Sequence, residues 1–137
     1  MIFNKNFTVF VLIYFCSIVS TYGLTERVIV DDLGKKFISD TAPQRFVSLA
    51  PSNTELLVAL GLESRIVGRT SYCNFPKSID SVEVVAGFTT LDLEKIAALN
   101  PDIVFAIRGN DIESLRGLDR LDIPFFSFDI KNLNDLN

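Results

Sequence analysis

The chain has 137 residues, enough for one domain, and its 48% hydrophobic and 22% charged composition is that of an ordinary globular protein. Its formal charge is −4 and it has no basic cluster, which argues against nucleic acid and anionic membrane surfaces as partners. It contains no histidine, the commonest zinc ligand and the usual base of Ser-His or Cys-His catalysis.

Residues 1–23 predict a secretory signal peptide. Lys5 precedes an apolar run over 7–19, and Thr21 and Gly23 occupy the −3 and −1 positions of a small-residue cleavage site. A membrane anchor is the alternative, but the apolar run is shorter than the roughly 20 residues that a spanning helix needs. We therefore expect residues 24–137 to be exported as one lobe.

Two short strand-like runs, 27–30 and 36–38, open the exported part. The segment Asp31-Asp32-Leu33-Gly34 between them is typical of a hairpin turn. The run 45–49 is short and mostly apolar, as a buried strand of a parallel sheet should be.

A helix is predicted directly after this strand. Ser52 is the expected N-cap, Glu55 completes a capping box three residues later, and Gly61 is the expected C-terminal cap. The expected apolar stripe of this helix consists of Leu56, Leu57 and Leu60.

The rest of the chain alternates between strands and helices. Further strands are predicted at 65–68, 82–85, 103–107 and 124–128, with a loop over 69–80. Asp92 or Thr90 is expected to cap one helix, which ends before Asn100-Pro101. Asp111 is expected to cap another, weakened by Gly117, whose apolar stripe is Ile112, Leu115, Leu118 and Leu121. This alternation predicts an α/β fold, a three-layer lobe with a mostly parallel sheet preceded by a short β-hairpin.

Four segments in order also carry a resemblance to a known family. They are the strand–turn–helix run 45–61, then 67–76, 91–104 and 106–110. Together they resemble the periplasmic substrate-binding proteins of ABC importers that carry cobalamin, ferric siderophores or haem, over roughly residues 25 to 130. The segment Ala106-Ile-Arg-Gly-Asn110 is most similar to the cobalamin branch. Members that hold a bare metal ion usually use histidine, so the lack of histidine disfavours that branch.

The resemblance implies a monomer that captures cobalamin in the periplasm and delivers it to an ABC permease of the inner membrane. It implies no enzymatic activity, catalytic residue, cofactor or metal site, with cobalamin as the transported ligand. A ferric siderophore or haem is the alternative, and Arg69 and Arg108 would suit such an anionic metal chelate. Family members continue with a linking helix and a second lobe. The chain is therefore expected to be the N-terminal lobe alone, and a truncated fragment that binds nothing is a further alternative.

The resemblance also implies ligand-binding residues. Tyr72 and Phe88 match aromatic side chains of the cleft wall, where a flat ring suits a large amphipathic ligand. Ile107 ends a strand at a position that is often aromatic in the cobalamin branch, and Arg108 follows it. A loop tyrosine at the domain edge, a core phenylalanine and a solvated arginine remain the structural alternatives. Cleavage of the predicted signal peptide would remove Cys16 and leave Cys73 as the one cysteine. Cys73 is expected to be either a buried small side chain or one half of a disulfide with a cysteine in a part of the protein absent here.

Ser52 and Glu94 complete the candidate residues. Ser52 follows a strand at its carboxyl end, where open α/β sheets bind ligands. A nucleophilic role for Ser52 would make the chain a small enzyme, but the Gly-x-Ser-x-Gly setting and a histidine base are both missing. Glu94 matches the carboxylate that family members present to arginines of the permease, although an acid in a first helical turn also stabilises the helix dipole.

Overall fold

The computed structural model describes residues 27–39, 41–87 and 90–128. The predicted signal peptide and Phe88 lie outside the described residues. The strands are β1 (Arg27–Val30), β2 (Lys36–Ser39), β3 (Phe46–Ser48), β4 (Ile66–Thr70), β5 (Glu83–Ala86), β6 (Ile103–Ala106) and β7 (Phe125–Ser127). The α-helices are α1 (Pro51–Ala59), α2 (Leu93–Ala98) and α3 (Ile112–Arg120), and short 3-10 helices span Glu63–Arg65 and Lys77–Ser81.

Five strands form one parallel sheet in the order β5-β4-β3-β6-β7. The chain enters at the central strand β3, winds outward through β4 and β5, and then crosses to β6 and β7 on the other side. The winding direction therefore reverses between β3 and β6, which makes the carboxyl ends of these two strands a topological switch point. The parallel sheet, and the antiparallel β1–β2 hairpin before it, confirm the predicted fold class.

Helices cover both faces of the sheet, as a three-layer lobe requires. On one face, the core contains Ile96 of α2 and Leu115 and Leu118 of α3, packed with residues of the central strands. On the other face, Leu57 of α1 packs with Phe46 and other buried side chains. In the described part of the chain, no helix is both long enough and apolar enough to cross a bilayer.

The β1–β2 hairpin is attached to the sheet through its turn. The buried Asp31 carboxylate accepts hydrogen bonds from the backbone N–H groups of Leu33 (2.9 Å), Lys35 (2.7 Å) and Ser127 (3.0 Å). Asp32 N–H donates to the Ser127 carbonyl oxygen at 2.9 Å. Lys35 pairs with the Asp119 carboxylate, and its Nζ lies 3.7 Å from the centre of the Phe125 ring. The turn is thus fixed to the carboxyl end of β7.

The start of α1 differs from the prediction. The helix begins at Pro51 and Ala50 is its N-cap, with no side-chain hydrogen bond at the cap, so the predicted Ser52 capping box is wrong. Proline has no N–H to satisfy and its φ is already helical, which favours it as the first helical residue. The predicted Gly61 cap is correct, because Gly61 adopts a φ of +73° and donates to the Val58 carbonyl oxygen at 2.9 Å.

The predicted apolar stripes of α1 and α3 are correct only in their middle positions. Leu57, Leu115 and Leu118 are buried, whereas Leu60, Ile112 and Leu121 are 62%, 54% and 48% exposed. The exposed positions are at the ends of the helices. Asp92 and Asp111 cap their helices as predicted, accepting from the backbone N–H groups of Lys95 (3.0 Å) and Ser114 (2.8 Å).

Gly117 of α3 lies against the side chain of Leu93 in α2. A Cβ at this position would lie 2.5 Å from Cδ1 of Leu93, so the glycine that weakens the helix also permits the contact.

The loop predicted over 69–80 begins later than expected. Arg69 lies inside β4 and is only 8% exposed, so its placement in a loop is wrong. Its guanidinium is satisfied by backbone carbonyl oxygens, which allows a cation to occupy a buried strand position. Cys73 is a buried free thiol within the described residues.

Candidate functional site

A cavity of about 380 Å³ opens at the switch point of the sheet. Its lining comes from the segments that follow β3, β4, β5 and β6 at their carboxyl ends: Leu49, Ala50, Pro51, Thr70, Tyr72, Gly87, Ile107, Gly109, Asn110 and Asp111. Most of the described lining is apolar or glycine, with Tyr72 as its aromatic ring and a few polar groups. Such a surface suits an organic ligand that is apolar over most of its area and polar at a few points.

The turn after β4 brings Tyr72 to the cavity. Tyr72 N–H donates to Thr70 Oγ1 (3.1 Å), Cys73 N–H donates to the Thr70 carbonyl oxygen (3.2 Å), and Ser71 N–H donates to Ala86 at the end of β5 (2.9 Å). Tyr72 is 53% exposed, so about half of its surface is accessible to a ligand. Tyr72 therefore lines the cavity, and its contact with a ligand stays a prediction.

Two asparagines join the ends of β3 and β6: Asn110, which lines the cavity, and Asn53, which lies outside the described lining. Asn110 accepts from Ile107 N–H through Oδ1 (2.8 Å) and donates through Nδ2 to the Leu49 carbonyl oxygen (3.3 Å). The buried Asn53 donates through Nδ2 to the Ala106 carbonyl oxygen (3.1 Å). These bonds link the carboxyl ends of β3 and β6. Side chains therefore hold the two strand ends together, in addition to the backbone hydrogen bonds of the sheet.

Among the described lining residues, Asp111 is the one that carries a charge. The Ser114 backbone N–H and hydroxyl both donate to its carboxylate, at 2.8 and 2.9 Å, and lower the pKa of Asp111 below its ordinary value of 3.8. The carboxylate is therefore ionised at neutral pH, and the cavity presents a negative charge.

Arg108 flanks the cavity without lining it. Its Nη2 donates to the Asp32 carbonyl oxygen in the hairpin turn at 2.8 Å, although Ile107 and Gly109 on either side of it belong to the lining. Arg69 also lies outside the lining. Its guanidinium is buried against the loop that follows β4 and donates to carbonyl oxygens of that loop. Arg69 and Arg108, the two cations expected to suit an anionic ligand, thus both donate to backbone carbonyl oxygens.

Of the remaining predicted residues, Ser52 and Glu94 are described by the structure, and neither lines the cavity. Ser52 is exposed in the first turn of α1, next to the lining residue Pro51 but outside the lining itself. Phe88 follows the lining residue Gly87 and lies outside the described residues. Glu94 is exposed in the first turn of α2 and is a surface carboxylate rather than part of the cavity. Within the described ranges, no cluster of Cys, Asp and Glu side chains is arranged to hold a metal ion.

A second, larger depression of about 850 Å³ lies at the opposite end of the sheet. Pro43 and Gln44 before β3, Pro101 and Asp102 before β6, and Pro124 before β7 contribute to it. These are the amino ends of the strands, where open parallel sheets do not place their ligands. The smaller cavity at the carboxyl ends is therefore the better candidate.

Sequence reasoning missed the asparagines and Asp111 as parts of the site. Asp111 was identified only as a helix cap, and Asn110 only as the last residue of a motif. The available signal was that a Gly-Asn pair directly after a buried strand favours a turn whose side chain bonds to nearby backbone.

Comparisons with known proteins show which family this fold belongs to. The model of a family described as periplasmic binding protein matches residues 46–134. The chain is 36% identical over 95 residues to the vitamin B12-binding protein of Pectobacterium carotovorum subsp. carotovorum, a match that covers 69% of this chain and 34% of that protein. The chain thus spans about a third of the length of the curated relatives it matches.

Solved structures of periplasmic binding proteins are also similar to this chain. The structure of the periplasmic vitamin B12 binding protein of Vibrio cholerae matches with a TM-score of 0.59 and 34% identity, covering 62% of this chain and 34% of that chain. A periplasmic heme binding protein from Pseudomonas aeruginosa matches with a TM-score of 0.60 and 30% identity, covering 63% of this chain and 31% of that chain.

Proposed function

Because the chain belongs to the periplasmic binding protein family, we propose that it is the N-terminal lobe of the substrate-binding component of an ABC importer, with a corrinoid such as vitamin B12 as its ligand. The proposed mechanism is capture and release with no bond made or broken. The cavity at the switch point carries the proposal, because its apolar wall, its exposed Tyr72 ring and its few polar groups suit a large amphipathic ligand.

The charge of the lining supports a corrinoid over an anionic chelate. Asp111 is its ionised group, and Arg108 and Arg69 both lie outside it. Haem carries propionate carboxylates, and sites for carboxylates gain affinity from arginine forks, whereas the described lining contains no arginine. Cyanocobalamin has no net charge and presents many side-chain amides, which can donate to the Asp111 carboxylate. The relatives named for vitamin B12 support the same choice.

Haem is the second candidate, and one observation favours it. Arg108 is exposed and follows the lining residue Ile107 directly, so release of its single hydrogen bond to Asp32 would let the guanidinium reach a ligand carboxylate. The structure from Pseudomonas aeruginosa named for heme supports this candidate.

Calorimetric titration of the purified full chain with cyanocobalamin, and separately with hemin, tests the proposal. We expect cyanocobalamin to bind more tightly than hemin. In Asp111→Asn, which removes the charge and keeps a capping side chain, we expect the affinity for hemin to rise relative to that for cyanocobalamin. Tighter binding of hemin to the unaltered chain would favour the second candidate, and binding of neither compound would contradict the proposal.

Delivery to a permease in the inner membrane is the second part of the proposal, after export to the periplasm. Glu94 presents an exposed carboxylate in the first turn of α2, away from the cavity lining, as a docking residue should. In cells whose vitamin B12 uptake depends on this protein, Glu94→Ala is expected to lower uptake and leave the Kd for cyanocobalamin unchanged. Glu55→Ala, which removes another exposed helical carboxylate, is the control, and equal uptake in the two variants would refute the docking role.

A further inference from the structure

Arg69 is a buried cation that bonds to backbone alone. Its Nε donates to Val82 (3.2 Å), its Nη1 to Thr70 (3.2 Å) and Cys73 (3.0 Å), and its Nη2 to Asp80 (3.1 Å), in each case to the carbonyl oxygen. The residue is only 8% exposed. Four of the five guanidinium N–H groups are thus used, which explains how the charge is accommodated away from water.

The four carbonyl oxygens belong to one loop and its two ends. Thr70 ends β4, Cys73 closes the turn that carries Tyr72, and Asp80 and Val82 lie at the end of the second 3-10 helix, just before β5. One side chain therefore holds the start, the first turn and the end of the segment 71–82 at a common point.

The Tyr72 turn depends on the same atoms. The Thr70 carbonyl oxygen that accepts from Arg69 also accepts from Cys73 N–H, and the Cys73 carbonyl oxygen accepts from Arg69. Tyr72 lies between these residues and contributes the one aromatic ring of the described cavity lining. A shift of this turn would move the ring relative to Ile107, which lines the same cavity.

We propose that Arg69 is a positioning residue, which fixes the 71–82 loop so that the Tyr72 ring faces the ligand cavity. The inference deepens the proposed function and rests on it for the identity of the ligand. The planar guanidinium is required because it directs donors to several carbonyl oxygens at once, whereas a lysine has its donors on a single nitrogen.

Arg69→Lys in the full chain is the test, and Arg45→Lys is the matched control. The Arg45 guanidinium also donates to backbone carbonyl oxygens, those of Leu99 and Asn100, but it precedes β3 at the opposite end of the sheet. The first readout is amide hydrogen exchange without ligand. We expect Cys73 N–H to exchange about tenfold faster in Arg69→Lys, with β6 unchanged, and no change at Cys73 in Arg45→Lys.

The second readout is the Kd for cyanocobalamin. Arg69→Lys is expected to raise it about tenfold, and the same substitution in a Tyr72→Ala background is expected to raise it less than about twofold, because the ring through which Arg69 acts is gone. A similar increase in both backgrounds would overturn the positioning role, since it would mean that Arg69 acts independently of Tyr72.

Unchanged exchange at Cys73, or exchange that increases equally throughout the sheet, would also overturn the proposal. If Arg69→Lys does not fold, Arg69→Gln replaces it, because glutamine keeps two planar donors and leaves no buried charge; the expected changes have the same direction. If the unaltered chain binds no cyanocobalamin, the proposed function fails, and the exchange readout alone still decides whether Arg69 fixes the Tyr72 turn.

Discussion

Removal of the Tyr72 ring is expected to weaken ligand binding by an amount that follows from its exposure. A tyrosine side chain offers about 200 Å² of surface, and 53% of Tyr72 is exposed, so about 100 Å² remains for a ligand to cover. At about 25 cal/mol per Å², full coverage contributes at most about 2.5 kcal/mol, or about 70-fold in Kd. Coverage of one ring face alone gives about tenfold. We therefore expect Tyr72→Ala to raise the Kd for cyanocobalamin between about 10- and 70-fold.

Calorimetric titration of three variants tests this expectation. Tyr72→Phe keeps the ring and loses one hydroxyl, so its Kd should rise no more than about fivefold. Phe75→Ala is the control, because Phe75 is 65% exposed on the same loop and lies outside the cavity lining. Equal effects of Tyr72→Ala and Phe75→Ala, or no effect of Tyr72→Ala, would refute the reasoning.

Three further predictions concern stability, measured by urea unfolding. Gly68→Ala should cost about 1–3 kcal/mol, because its Cβ would lie 3.0 Å from Leu99 Cδ1 among packed core side chains, whereas Gly109→Ala, with its nearest contact at 3.5 Å, should cost much less. Asp31→Ala should cost about 2–3 kcal/mol, since its buried carboxylate accepts three backbone N–H groups; an unchanged midpoint would contradict this. Asp111, whose pKa is lowered by its cap bonds, stabilises the fold above its ordinary pKa of 3.8, and this contribution is lost as the pH falls through the lower folded pKa. Asp111→Asn should therefore lose less stability on acidification than the unaltered chain, and parallel pH profiles would contradict that.

The architecture could be predicted because its signals are local. Buried parallel strands give short apolar runs, and the run predicted at 103–107 contains β6 (Ile103–Ala106). The caps Asp92 and Asp111 bond to backbone only three residues away, so sequence spacing alone identifies them.

Exposure at the ends of helices could not be predicted in the same way. Leu60, Ile112 and Leu121 fit the apolar period of their helices, but each lies at an end of its helix and is exposed. The helical period fixes which face a residue occupies, whereas burial also depends on where the neighbouring layer ends. That boundary is a property of the tertiary fold.

The residues of the candidate site also divide into those whose position the sequence indicates and those whose role depends on the tertiary fold. Tyr72 and Ile107 follow the carboxyl ends of strands and line the cavity, and their contact with a ligand stays a prediction from position and family resemblance. Arg69 was expected in a loop because a cation rarely occupies a buried strand, and its four acceptors, which are up to 13 residues away in sequence, become visible only in the fold. Asn110 was missed because its role is to join two strand ends that are 61 residues apart.

The central claim is that the cavity at the carboxyl ends of the sheet is the ligand site. A backbone amide NMR titration of the chain with cyanocobalamin tests it most directly. The account predicts that the largest shift changes fall on Tyr72, Ile107 and Asn110, which line that cavity. Changes concentrated on Gln44 and Asp102, in the larger depression at the amino ends, would contradict it, as would a spectrum that does not change at all.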